Sequence, residues 1–135
     1  MVLKFSRRQG EAPLLFDRQA LIGDIAQHLA ERFPAMVAVM PRGALQARIN
    51  NSIRIALWFR IGEVAHLRFL TALRWDLAPG FYRQPEIWKL LADVGLTESA
   101  RMEALGAPDM EPALQAAIAA SDPAHWDDTP ESFAR

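Results

Sequence analysis

Two short spacings in this 135-residue chain would place potential metal ligands on one face of a helix. Glu63-x-x-His66 is the first. An acid followed three residues later by a histidine is the helix half-motif of di-iron and di-manganese carboxylate proteins. That chemistry needs a second such motif and two further glutamates, and no second Glu-x-x-His occurs. Asp24 and His28, four residues apart, are the other candidate pair. The expectation is therefore no metal and no cofactor. Glu63 reads as an acid at a helix start, where the dipole favours it, and His66 as a partly buried histidine.

Nucleophilic chemistry finds less support. Ser6, Ser52, Ser99, Ser121 and Ser132 all stand outside a Gly-x-Ser-x-Gly context. The seven glycines are scattered, so no phosphate-cradling loop forms. The absence of cysteine excludes disulfides, thiolate metal sites and a cysteine nucleophile. No catalytic residue emerges, and the chain is expected not to be an enzyme.

Nucleic-acid binding is weighed on the corner Trp58-Phe-Arg-Ile-Gly-Glu-Val-Ala-His-Leu-Arg68, which looks like the turn of a helix-turn-helix. Arg42, Arg48, Arg54 and Arg60 lie on the preceding helix. Their six-residue spacing turns about 240° per step, so they do not share a face. The following helix offers His66, Arg68 and Arg74 and is otherwise apolar. With 15 basic and 16 acidic residues the net charge is −1, so no basic surface drives such binding and no nucleic acid is expected.

Aromatic residues form the remaining feature. Trp58, Phe59, Trp75, Phe81, Tyr82 and Trp88 crowd around this corner and the Ala78-Pro-Gly80 turn. Packing of a small core accounts for many of them. The alternative is a protein-binding surface, since Trp, Tyr and Arg dominate interface hot spots. Trp58, Trp75, Phe81, Tyr82, Arg83 and Trp88 are the candidate partner-binding residues. Phe81, Tyr82 and Arg83 lead, because a tight turn seldom buries all its side chains. On that basis, alanine at Tyr82 and Arg83 should weaken binding without lowering thermal stability.

The elements that would carry these residues are helical. Asp17 caps a first helix with Leu21, Ile22, Ile25, Leu29 and Phe33 on its apolar face, ending near Pro34. Ala35 to Met40 is apolar throughout, either an extra helical turn or a buried connector. Pro41 opens a second helix whose apolar face is Leu45, Ile49, Ile53, Ala56 and Leu57, and Gly62 is expected to end it in a left-handed conformation. Glu63 opens a third, with Val64, Leu67, Leu70 and Leu73. A fourth runs from Pro85 to about Val94, stopped by Gly95. Thr97 caps a fifth reaching Leu105, and Glu111 or Pro112 starts a sixth ending near Ala120.

No strand alternation or internal repeat is present, so the fold class is all-α, a compact bundle of five or six short helices. Residues 1–13 read as a flexible N-terminal arm, 14–120 as a single helical domain and 121–135 as an acidic tail, disordered or ordered only on a partner. Deletion of 122–135 should then leave the helical signal nearly intact. Alanine and arginine, 23 and 13 residues, point to a GC-rich bacterial genome. No segment has the length of a signal peptide or a membrane span, so the expected compartment is the cytoplasm and no membrane partner is expected. Hydrophobic residues at 51% of so short a chain also fit a homodimer.

Four segments in order carry a family likeness. They are Ile53-Arg-Ile-Ala-Leu-Trp-Phe-Arg-Ile-Gly-Glu63, Leu70-Thr-Ala-Leu-Arg-Trp-Asp-Leu-Ala-Pro-Gly-Phe81, Gln84-Pro-Glu-Ile-Trp88 and Leu91-Ala-Asp-Val-Gly-Leu-Thr-Glu-Ser-Ala-Arg-Met-Glu-Ala-Leu105, with His28-Leu-Ala-Glu-Arg-Phe-Pro34 upstream. Over about residues 17–105 the chain resembles small helical accessory proteins encoded beside spike, adaptor and effector genes of bacterial type VI secretion systems. It departs from their pattern at Tyr82 and Gln84, where the family usually carries acids, and in the order Phe-Arg-Ile-Gly at the second turn. The resemblance implies a non-enzymatic effector chaperone or co-adaptor whose partner is a secreted effector, its adaptor or a spike protein. An immunity protein neutralising a cognate effector is the alternative, which the acidic tail would favour; a helix-turn-helix regulator is a more distant one.

Overall fold

A computed structural model describes residues 17–133. The arm expected over residues 1–13 lies outside them. Among the described residues there are eight α-helices and no strand, an all-α fold. The helices are α1 Arg18–Arg32, α2 Pro34–Ala38, α3 Arg42–Trp58, α4 Val64–Asp76, α5 Pro85–Leu91, α6 Glu98–Leu105, α7 Glu111–Ala119 and α8 Pro130–Phe133, with 3₁₀ turns at Phe81–Arg83, Pro108–Met110 and Pro123–Asp127. None is long and apolar enough to cross a membrane.

Helices α1, α3 and α4 pack against one another, and their apolar faces supply the deepest side chains. Ile25, Leu29, Ile49, Ile53 and Leu67 are all completely buried. Each such side chain contributes about 1.5–3 kcal/mol relative to exposure. Helices α5 and α7 gather around the Phe81–Arg83 turn, and α6 packs on α5. The Asp17 and Thr97 caps form as expected, each side chain accepting a backbone N–H three residues on. Gln84 does the same for α5, accepting from the Ile87 N–H at 2.9 Å.

Several local expectations are corrected. Of the two alternatives for the apolar run after Pro34, the helical one forms, as the short α2, and the buried connector does not: α2 buries no side chain and leaves Val39 83% exposed. On α3 the inward face is Leu45, Ile49, Ser52, Ile53, Ile55 and Ala56, while Leu57 turns outward. Helix α5 ends at Leu91 rather than near Val94; the chain then turns, with Leu96 N–H donating to Asp93 O.

The left-handed residue that ends α3 is Arg60, at φ 62°, and not Gly62. Arg60 N–H donates to Leu57 O and Ile61 N–H to Ala56 O, the paired bonds of a Schellman ending. This geometry needs its positive φ two residues beyond the helix, where the sequence supplies arginine. It drives Ile61 completely into the core.

Arg101 on α6 closes two helix ends at once. Its Nη1 donates to Phe59 O at 2.7 Å and to Leu91 O at 2.6 Å, and its Nη2 to Arg60 O at 3.3 Å. These carbonyls lie at the C-terminal ends of α3 and α5, where intrahelical donors run out.

The largest correction concerns the tail. The segment expected to be disordered packs back on α3 through the Pro123–Asp127 turn and α8. The reason is Trp126. Its ring lies 4.6 Å from that of Trp75, and the guanidinium groups of Arg48 and Arg74 lie over it at 4.5 and 4.9 Å. One half-buried aromatic with two cations and a stacking partner outweighs the weak apolar content around it.

His125 seats the same segment against the Pro-Gly turn. A Cβ at Gly80 would come within 2.2 Å of His125 Nδ1 and 2.6 Å of its Cγ, so the imidazole occupies the space a side chain would need. Gly80→Ala is expected to cost about 1–3 kcal/mol by overpacking. The check is a double-mutant cycle by chemical denaturation: the cost should shrink when His125 is alanine, and an equal cost in both backgrounds would place the strain elsewhere.

Candidate functional site

The six candidate partner-binding residues divide into three environments. Trp58 ends α3 and Trp88 lies on α5, and their rings meet at 5.3 Å. Phe59 stands edge-on to both at 5.0 Å. Trp58 is 40% exposed beside Leu57 at 43%, and Trp88 is half-buried. The ring chain continues inward through Phe59 to Tyr82 at 6.4 Å and from Tyr82 to Phe81 at 5.6 Å. The cluster therefore grades from a surface pair into the core.

Phe81 and Tyr82 do not project from their turn as expected. The 3₁₀ turn folds both side chains inward, leaving Tyr82 1% exposed. A tyrosine tolerates this when its hydroxyl has a partner. Here the O–H donates to Asp128 Oδ2 at 2.5 Å, from the tail. Arg83 keeps an exposed flank but grips the same carboxylate bidentately, with Nε and Nη2 each at 2.7 Å. Trp75 faces the tail through Trp126 and is not joined to the Trp58–Trp88 pair. Tyr82 and Arg83 are thus elements of a clasp, and the expectation that their removal leaves stability unchanged is withdrawn.

Arg74 is the centre of that clasp. It is 2% exposed, yet its donors are spent on Pro79 O at 2.7 Å, Ser52 Oγ at 2.9 Å and His125 O at 2.7 Å. Burial lowers its pKa, with the Tyr82 and Asp128 charges opposing. For Asp128, burial pushes the carboxyl up, but the Arg83 and Tyr82 hydrogen bonds and the Arg83 charge outweigh it and hold it below the usual range.

Tyr82 shifts the other way. Burial first, and then its hydrogen bond to Asp128, push the phenol well above its ordinary value. A folded-state pKa raised above the unfolded value means a contribution fully present below the ordinary value and lost as the pH rises past it. Tyr82 is the only tyrosine, so the tyrosinate absorbance reports this site alone. The band is expected to stay silent at about pH 10, where a free phenol is half ionised, and to appear together with loss of helical circular dichroism. A half-titration near pH 10 with the fold intact would contradict the buried geometry.

A second polar centre lies where α4 begins. The Glu98 carboxylate, from the first turn of α6, accepts the backbone N–H groups of Gly62 and Glu63, both at 3.0 Å, and lies 2.5 Å from His66 Nδ1. Burial pushes the Glu98 carboxyl up, but the Gly62 N–H, His66 and the Glu63 N–H together hold it below the usual range. Glu98 was not among the sequence candidates. Asp24, which was, instead forms a bidentate pair with Arg68 at 2.7 and 2.9 Å. The pair considered with His28 is therefore not part of this centre.

Two further arginines considered for nucleic acid are also engaged: Arg48 lies over Trp126, and Arg54 pairs with Glu131. Comparison with known protein families, with curated proteins and with solved structures finds no match.

Proposed function

We propose that this chain is a non-enzymatic protein-binding accessory factor of a type VI secretion system, acting as an effector chaperone or co-adaptor in the cytoplasm. The secretion context rests on the sequence resemblance. The observation that carries the binding role is the Trp58–Trp88 pair, an aromatic contact held at the surface by two different helices. Its geometry is fixed from below by Phe59, so little conformational freedom remains to be lost on docking.

The partner would be an apolar helix or loop of an effector, its adaptor or a spike protein, laid across Trp58 and Leu57. Other features support binding over catalysis. Three buried polar groups are committed to structure: Arg74, Arg101 and Asp128 each hold separate elements together. The acidic tail, which favoured the immunity alternative, spends Asp128 on Arg83 and Tyr82 and pairs Glu131 with Arg54.

Affinity capture from the native bacterium, with a high-salt wash and mass spectrometry, tests the reading. It should retain an effector, adaptor or spike protein, because apolar contact survives salt. Recovery of nucleic acid that the wash removes would favour regulation instead.

A further inference from the structure

The Glu63-x-x-His66 half-motif gains a third member from a distant part of the chain. His66 Nδ1 lies 3.4 Å from Glu63 Oε2 and 2.5 Å from Glu98 Oε2. The three potential ligand atoms all fall within 4.8 Å of one another. We propose that Glu63, His66 and Glu98 form a binding site for a divalent transition-metal ion of the zinc class, joining the start of α4 to the start of α6.

Two of the three ligands are already held in place. The His66 and Glu98 side chains are each 18% exposed. The backbone N–H groups of Gly62 and Glu63 fix the Glu98 carboxylate, as outer hydrogen bonds orient ligands in established metal sites. Glu63 is 57% exposed, which leaves the remaining coordination positions open to water.

The separations suit a small ion. Tetrahedral zinc bonds of about 2.1 Å put ligand atoms about 3.4 Å apart. The Glu63–His66 separation has that value already. The His66–Glu98 contact is the one to open, by about 1 Å, and the ion takes the place of the proton shared between Nδ1 and Oε2.

The donor set also selects the ion. An imidazole nitrogen disfavours magnesium and calcium, and the absence of thiolate disfavours copper(I). Two carboxylates balance a dication, and the positive end of α4 tempers the affinity.

The full-length, untagged chain titrated with zinc chloride, by calorimetry and thermal melting, tests the site. One zinc ion per chain and a raised melting temperature are expected, unaffected by excess magnesium. Glu63→Gln, at an exposed position, should weaken binding by about tenfold or more, and His66→Asn should abolish it. Absence of binding at about 100 μM zinc, well above the affinity of a formed site, overturns the proposal. So does unchanged affinity in Glu63→Gln and His66→Asn, which would place the ion on His28 or His125. If His66→Asn does not fold, Glu63→Gln alone decides.

Discussion

Deletion of residues 122–135 is expected to lower the stability of the chain by about 3–5 kcal/mol, a large share of what a domain of this size holds. The deletion removes Trp126 from the rings and cations of Trp75, Arg48 and Arg74. It also takes the His125 carbonyl from Arg74 and the Asp128 carboxylate from both Tyr82 and Arg83. Water can reach Arg83, but Arg74 and Tyr82 stay among apolar neighbours with unmet hydrogen-bonding capacity, which is the costly state. Trp126→Ala alone should account for about 2 kcal/mol, less than a fully buried tryptophan, because the ring is half-buried. Thermal melting followed by circular dichroism checks both. An unchanged melting temperature on deletion would mean that the tail does not pack on the core.

Arg101→Met is expected to cost about 3–4 kcal/mol, although methionine keeps the stem and most of the volume. The loss is electrostatic. Three carbonyls, of Phe59, Arg60 and Leu91, lose their donor where two helices end. Lysine should rescue little, because one ammonium on a flexible stem cannot reproduce a planar fork aimed at three oxygens. Urea titration of Arg101→Met and Arg101→Lys is the check. If lysine restores wild-type stability, charge alone matters and the geometry of the fork does not.

The helices and their inward faces were legible because each signal is local. Asp17 and Thr97 cap through their own first turns, and Leu21, Ile25 and Leu29 follow one helical period. What escaped is what depends on distant segments. Tyr82 and Asp128 are 46 residues apart, and nothing near Tyr82 announces a carboxylate for its hydroxyl. Gly62 carried the usual sign of a left-handed ending, but the Schellman bonds fall two residues earlier and put Arg60 there.

The tail misled through its composition. Two prolines and four acids outweigh the surrounding apolar content, yet Trp126 was a usable signal: a tryptophan brings more burial than a solvated tail can employ. Of the candidate site, the aromatic residues were found and their sorting was not. Exposure of Trp58 and burial of Phe81 follow from how α3, α5 and the turn meet, which no single window contains. Glu98 was missed for the same reason. Its tie to His66 joins the starts of two helices far apart in sequence.

On the proposed function, the Trp58–Trp88 face docks a protein of the secretion apparatus. The most direct measurement is the affinity of the captured effector, adaptor or spike protein for the wild-type chain and for Trp58→Ala, with Leu57→Asp as a second variant on the same surface. Trp58→Ala should weaken binding by about thirtyfold, as for a hot-spot tryptophan, with the helical spectrum unchanged. Equal affinity in both variants, or failure of the wild-type chain to retain any such protein, would contradict the account.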